Sequence, residues 1–174
     1  MVSTARIPIL GFVAYSGTGK TTLLLKIIPL LKAQGLRIGM VKHTHHQFDI
    51  DHPGKDSYRL RQAGVDQTLV ASSQRWALMV ETGQFSEAHL DQVLSHLDQD
   101  QLDLILVEGF KHESFPKIEV HRPSLGRPPL FLQDKSVVAI ACDAPLSVPT
   151  DLPILDLNNS LEIFEFVQRQ FLGR

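Results

Sequence analysis

The stretch IPILGFVAYSGTGKTT, Ile7 to Thr22, decides the fold. Ile7 to Ala14 is a continuous apolar run, the mark of a strand buried on both faces of a parallel sheet. Ala14-Tyr15-Ser16-Gly17-Thr18-Gly19-Lys20-Thr21 then matches the phosphate-loop pattern G-x-x-x-x-G-K-[ST] at every place except the first, where a small alanine stands for glycine. Gly17 and Gly19 allow the backbone to turn its N–H groups inward around phosphate oxygens. Lys20 has the reach to bridge the β- and γ-phosphates, and the Thr21 hydroxyl is a Mg²⁺ ligand. Thr21 to Gln34 reads as a helix stopped by Gly35, with Pro29 expected to bend it. Its N-terminus adds favourable partial charge for an anion. The stretch Ala14 to Thr22, ending in Thr22, is thus the predicted site for a nucleoside triphosphate.

Composition sets the limits. The 174 residues suffice for one domain with a substantial core, and the whole chain, 1–174, is expected to be that single nucleotide-binding domain. An apolar fraction of 43% and a charged fraction of 21% are ordinary for globular proteins. A formal net charge of −2 speaks against general attraction to nucleic acid or an anionic membrane, so any anion site must be local. The single cysteine, Cys142, excludes an internal disulfide framework and fits a reducing cytoplasm. Arg6 precedes eight mostly apolar residues, but that run leads directly into the loop and its lysine, so it reads as a strand and not a leader. No apolar run approaches the roughly 18 residues of a membrane span.

Strand and helix patterns alternate along the chain. Leu36 to His43, Leu102 to Gly109 and Ser136 to Asp143 read as strands, and Leu161 to Leu172 as a closing helix. Lys55 to Ala63 is a helix ended by Gly64; Thr68 to Ser72 and Arg75 to Thr82 form a hairpin across Ser73 and Gln74. Ser86 to Asp98 is an amphipathic helix with Ser86 as its N-cap. Lys117 to His121 alternates apolar and polar residues, which predicts a partly exposed strand. The resulting fold class is α/β, a P-loop NTPase with a mainly parallel sheet and helices on both faces. The hairpin and the Pro-rich Arg122 to Leu130 excursion are expected to add antiparallel strands.

Three polar clusters stand at strand ends, where ligands of open α/β sheets bind. Glu108, before Gly109, is a candidate to hold Mg²⁺ directly or through water; Asp103 at the other end of that run is a solvated flank. In the loop from Lys42 to Ser57, Asp49 and Asp51 are candidates for Mg²⁺ or its waters. His43, His45 and His46 there fit a polar loop, a phosphorylated ligand or a metal. Asp143 is either an acceptor for guanine N–H groups or a turn residue before Pro145. The usual guanine signature is absent, so the residues alone leave GTP and ATP both open.

AYSGTGKTTLL, VKHTHHQFDIDHPGKDSYRLRQAG, ASSQRWALM and LDLILVEGFKHE together resemble the MobB family of molybdopterin-guanine dinucleotide biosynthesis adaptors. The resemblance spans most of Ile7 to Glu113, and the second and fourth blocks carry its specificity. It implies a cytoplasmic, GTP-binding homodimer with weak Mg²⁺-dependent GTPase activity at most. It also implies an accessory role to the guanylyltransferase that joins GMP to molybdopterin. Other implied partners are proteins of cofactor synthesis and insertion, with molybdopterin itself as a possible ligand. By position, the nucleotide site is Ala14 to Thr22, with Thr21, Glu108 and Asp51 as metal candidates. Lys42, His43 and the Asp49 to Lys55 loop become candidates to sense the γ-phosphate or hold the pterin. Lys111, His112, Arg122 and Arg127 would add positive charge for a pterin phosphate, or are simply solvated loop charges.

Fast hydrolysis needs a residue that orients the attacking water, and usually an arginine on the developing charge. Phe110, Lys111 and His112 follow Glu108-Gly109 with no glutamine in the expected place, which predicts slow turnover. Two other readings compete. A small-molecule phosphotransferase would use Arg122 and Arg127 as a phosphate-clamping lid, and a metallochaperone would use His43, His45 and His46.

Overall fold

A computed structural model describes residues 2–44, 48–83 and 88–173. The chain forms two compact units, one from residues 1–43 and 88–174, the other from 44–87. No helix among the described residues is long and apolar enough to cross a membrane.

The larger unit is built on six parallel strands: β1 (Ile9–Val13), β2 (Ile38–Lys42), β5 (Leu104–Glu108), β6 (Lys117–His121), β7 (Val137–Cys142) and β8 (Ile154–Asp156). Their order is β2-β5-β1-β6-β7-β8. The phosphate-loop strand β1 is therefore central, with β5 on one side and β6 on the other. Helices α1 (Lys20–Ala33) and α4 (Ser160–Phe171) pack with the sheet around Leu10, Phe12, Leu106, Ile118 and Val120. On the opposite face, α3 (Leu90–Leu94) joins Ile9, Ile105 and Val107 with Phe110 and Phe115. Apolar cover on both faces explains why β1 reads as an unbroken apolar run.

α1 continues through Pro29. The carbonyl that proline leaves without an N–H belongs to Leu25; both residues are exposed, so water can take it. Gly35, at φ 75°, follows the helix where the sequence predicts its stop. The helix predicted over Ser86 to Asp98 is reduced to Leu90–Leu94, and Ser86 lies outside the described residues. Several groups end it early: Ser95 Oγ donates to the Gln92 carbonyl, and the buried Gln99 amide donates to the Leu94 carbonyl. The His96 and Leu97 N–H groups then bond only three residues back.

β6 corrects the expectation of a partly exposed strand, since all five of its residues are buried. Its alternation is real, but both faces are covered. Ile118 and Val120 enter the apolar core, while Lys117, Glu119 and His121 are buried polar residues that alternate with them. Each polar group there has its own partners. Lys117 Nζ donates to the Lys111 carbonyl (3.1 Å), the Glu113 carbonyl (2.6 Å) and Asp134 Oδ2 (2.7 Å). Glu119 accepts the Leu130 and Phe131 N–H groups at 2.7 and 2.8 Å. The Pro-rich excursion forms two short 3₁₀ turns, Pro123–Leu125 and Leu130–Leu132, and not the added strand that was expected. With three prolines among residues 123–129 it lacks the N–H groups a ladder requires.

The smaller unit contains α2 (Asp56–Gln62) and the antiparallel hairpin β3 (Gln67–Ala71) and β4 (Trp76–Val80). The Ser72 N–H closes the turn on the Arg75 carbonyl at 2.8 Å, around Ser73 and Gln74. Arg61 pairs with Asp49 and Glu81 and lies over the Tyr58 ring. None of its described residues is buried.

Candidate nucleotide site

The site begins where β1 runs out. Ala14 is buried in the core, which explains a small residue at the first position of the motif. The chain then turns through Gly17 (φ 82°) and Gly19 (φ 96°), left-handed conformations that a side chain would strain. Thr18 is buried and folds onto the loop, its hydroxyl donating to the Tyr15 carbonyl at 2.7 Å. Gly19 is the helix N-cap, and no side chain caps α1. The first helical bond runs from the Leu23 N–H to the Gly19 carbonyl at 2.9 Å. The N–H groups of Lys20, Thr21 and Thr22 therefore have no intrahelical acceptor, which suits an anion.

Residues Tyr15 to Thr22 and Glu108 line one pocket of about 380 Å³. Lys20 Nζ lies 3.2 Å from Glu108 Oε1, and Lys42 Nζ lies 3.8 Å from Oε2. Parallel pairing of β2 with β5 sets Lys42 beside Glu108. The lysine suited to phosphate and the carboxylate suited to Mg²⁺ thus satisfy each other in one pocket. The groups fit a magnesium nucleotide.

The turn after β5 is tightly held. At Gly109 (φ 93°) a Cβ would lie 2.7 Å from His43 Cβ, so only glycine passes there. Phe110 also has positive φ (51°), and its buried ring packs on His43 with centroids 4.8 Å apart. Phe110 belongs to the core, which anchors the end of β5.

The model of the MobB family, Molybdopterin guanine dinucleotide synthesis protein B, matches residues 9–143. The chain belongs to the MobB family. It is 52% identical over 168 residues to the molybdopterin-guanine dinucleotide biosynthesis adapter protein of Escherichia coli K12, covering 96% of this chain and 95% of that one. The protein of the same name from Haemophilus influenzae is 43% identical, over 94% of this chain and 89% of its own. The crystal structure of Bacillus subtilis MobB superposes with a TM-score of 0.75 at 25% identity, covering 97% of this chain and all of that one.

The excursion after β6 contributes residues whose role at this site the sequence did not reveal. Arg122 Nε donates to the Thr18 carbonyl at 2.8 Å, and its Nη1 pairs with Asp143 at the end of β7. The Arg127 guanidinium lies 5.9 Å from the Tyr15 ring centre. Arg122 and Thr18 are 104 residues apart in the chain, and only the adjacency of β1 and β6 brings them together. Asp143 is thus an ion-pair partner of the loop's brace, and its other oxygen is buried without a partner.

Asp103 pairs with Arg37, as a solvated flank would. Asp49 and Asp51 are in the smaller unit, where Asp51 Oδ1 accepts the His52 N–H at 2.9 Å and Asp49 pairs with Arg61. His45 and His46 lie outside the described residues. Among the described residues there is no group of three or more His, Cys, Asp or Glu side chains able to hold a metal. Cys142 is buried and donates to the Ala144 carbonyl, and desolvation pushes its thiol pKa up.

Proposed function

We propose that this chain is a GTP-binding adapter in molybdenum cofactor biosynthesis, working in the cytoplasm beside the guanylyltransferase that joins GMP to molybdopterin. The adapter role rests on the family and on relatives of that name that match nearly end to end. The nucleotide role rests on one observation above all: a pocket that gathers Lys20, Thr21 and Glu108 at the unpartnered N-terminus of α1.

In this reading the N–H groups from Gly17 to Thr22 cradle the phosphates, and Lys20 leaves Glu108 to bridge the β- and γ-oxygens. Thr21 and Glu108 would hold Mg²⁺. Mg²⁺, when bound, neutralises charge on the terminal phosphates. Lys42 and His43 stand at the end of β2, and in this reading they are the candidates to answer the γ-phosphate or an anionic pterin. Phe110, Lys111 and His112 follow Glu108-Gly109 with no glutamine in the expected place, which supports hydrolysis that is slow without a partner.

The smaller unit supports a homodimer. It exposes Phe48, Ile50, Leu60, Leu69 and Trp76, large apolar side chains of the kind a partner surface covers. A second copy and the transferase are its partners in this reading.

The test is calorimetric titration of the purified protein with GTP and ATP in Mg²⁺, then hydrolysis assays on the same sample. Preferred GTP binding with turnover well below about 1 s⁻¹ is the expected result. ATP preference, or brisk turnover once a small phosphate acceptor is added, would replace this reading with a kinase.

A further inference from the structure

We propose that Arg122 is a positioning residue that presets the phosphate loop for its nucleotide without itself gripping phosphate. The inference rests on the nucleotide reading above.

The argument starts from the peptide joining Thr18 to Gly19. In a trans peptide the carbonyl and the following N–H point in opposite directions. Arg122 Nε holds the Thr18 carbonyl at 2.8 Å, so the Gly19 N–H must point away from Arg122. Gly17 and Gly19 both have positive φ, and glycine peptides reorient at little steric cost. A flipped peptide would offer the phosphate a carbonyl oxygen in place of a donor. The loop therefore needs an outside hold, and Arg122 provides it.

The hold is itself braced. Arg122 Nη1 pairs with Asp143, and the guanidinium passes so close to the loop that a Cβ on Gly19 would lie 3.6 Å from Nη2. Arg122 leaves β6 directly, and Glu119 three residues earlier fixes the far end of the excursion through the Leu130 and Phe131 N–H groups. Two of the guanidinium's donors are thus committed, and its charge is matched by a carboxylate that is one-fifth exposed. A lysine presents a point charge on a shorter, flexible stem without the planar fork, so it does not reproduce the fixed pairing of Nε with one acceptor and Nη1 with the other.

The experiment measures GTP and GDP affinity in Mg²⁺ for wild type, R122A, R122K and D143N, with a thermal melt on each. Positioning predicts that R122K loses about as much as R122A, roughly tenfold. It also predicts an unchanged GTP-to-GDP ratio and a smaller loss in D143N. Wild-type affinity in R122K would mean that only charge matters, and tighter binding in D143N would mean that Asp143 withholds a direct phosphate ligand. A changed GTP-to-GDP ratio would place Arg122 on the γ-phosphate. Any of these overturns the proposal, as does a lower melting temperature with affinity intact, the mark of a purely structural residue. If R122A does not fold, R122K and D143N decide between the outcomes. Failure of wild type to bind either nucleotide would instead remove the nucleotide reading itself.

Discussion

The two units of this chain solve opposite problems. The larger one has apolar clusters on both faces of its sheet and holds the few polar side chains it buries, such as Lys117 and Glu119, with partners. The smaller one buries none of its described residues and exposes Trp76 at 68% and Phe48 at 72%. A two-stranded hairpin with one short helix has too little core to be stable alone in water. The difference fits the division of labour proposed above, in which the larger unit would frame a nucleotide and the smaller one would offer surface to another chain. Variants in one unit should leave the other's property untouched, and that is where the comparison can be broken.

The largest effect is expected at Lys117, the fully buried cation of the larger unit. Lys117→Met keeps most of the volume but strands Asp134 and the carbonyls of Lys111 and Glu113. The cost is about 3 kcal/mol, the low end for breaking a buried pair, because Asp134 keeps part of its surface in water. That corresponds to a fall of roughly 10 °C in melting temperature. The loss should also depend on pH. Partial burial alone would raise the Asp134 pKa, but the Lys117 ammonium and the Ser136 N–H outweigh it and hold the value below the usual aspartate range. A depressed carboxylate stabilises the fold above its unfolded pKa, about 3.9, and loses that contribution as pH falls through the folded pKa. The gap between wild type and variant should therefore narrow below about pH 4; a gap that stays constant down to pH 2 would disprove the pairing.

Next in size is Lys20→Ala. It removes a charge-assisted phosphate contact worth about 1.5–3 kcal/mol, or roughly 10- to 150-fold in GTP affinity. The fold should persist, because the side chain faces the pocket and Glu108 rather than the core. The dimerisation constant should not move. Equal GTP affinity in the two proteins would detach the nucleotide from this loop.

How far the sequence carried this picture depended on whether the deciding contacts are local. β1, the loop and α1 were legible because one chemistry, repeated over Ile9 to Ala33, fixes strand, turn and helix in succession. Glu108 was legible because the end of an apolar strand is also the ligand end of the sheet. β6 was not. Its alternation of polar and apolar residues correctly gave the period, but exposure depends on what covers each face. Asp134, Leu130 and Phe131 do so from positions 11 to 17 residues away. Arg122 was seen as a charge near the nucleotide, yet its partners Thr18 and Asp143 come from the ends of two other strands. The hairpin's turn was readable because Ser73 and Gln74 sit between two β-rich runs; the exposure of its apolar residues was not, because alternation gives a strand's period and not what covers its faces.

Trp76→Ala tests that last point and carries the smallest expected effect. Tryptophan anchors dominate interfaces when they are covered, and truncating one typically costs 1–2 kcal/mol or more. A rise of about tenfold in the dimer dissociation constant is expected by sedimentation equilibrium. The residue is solvent-exposed in a single chain, so its removal takes little packing from the hairpin, and the melting temperature of isolated chains should hardly change. GTP affinity should stay at the wild-type value, because Lys20, Glu108 and Arg122 all belong to the larger unit. An unchanged dimerisation constant would move the interface off β4. A parallel loss of GTP binding would be more damaging, since it would show that the two units do not act separately.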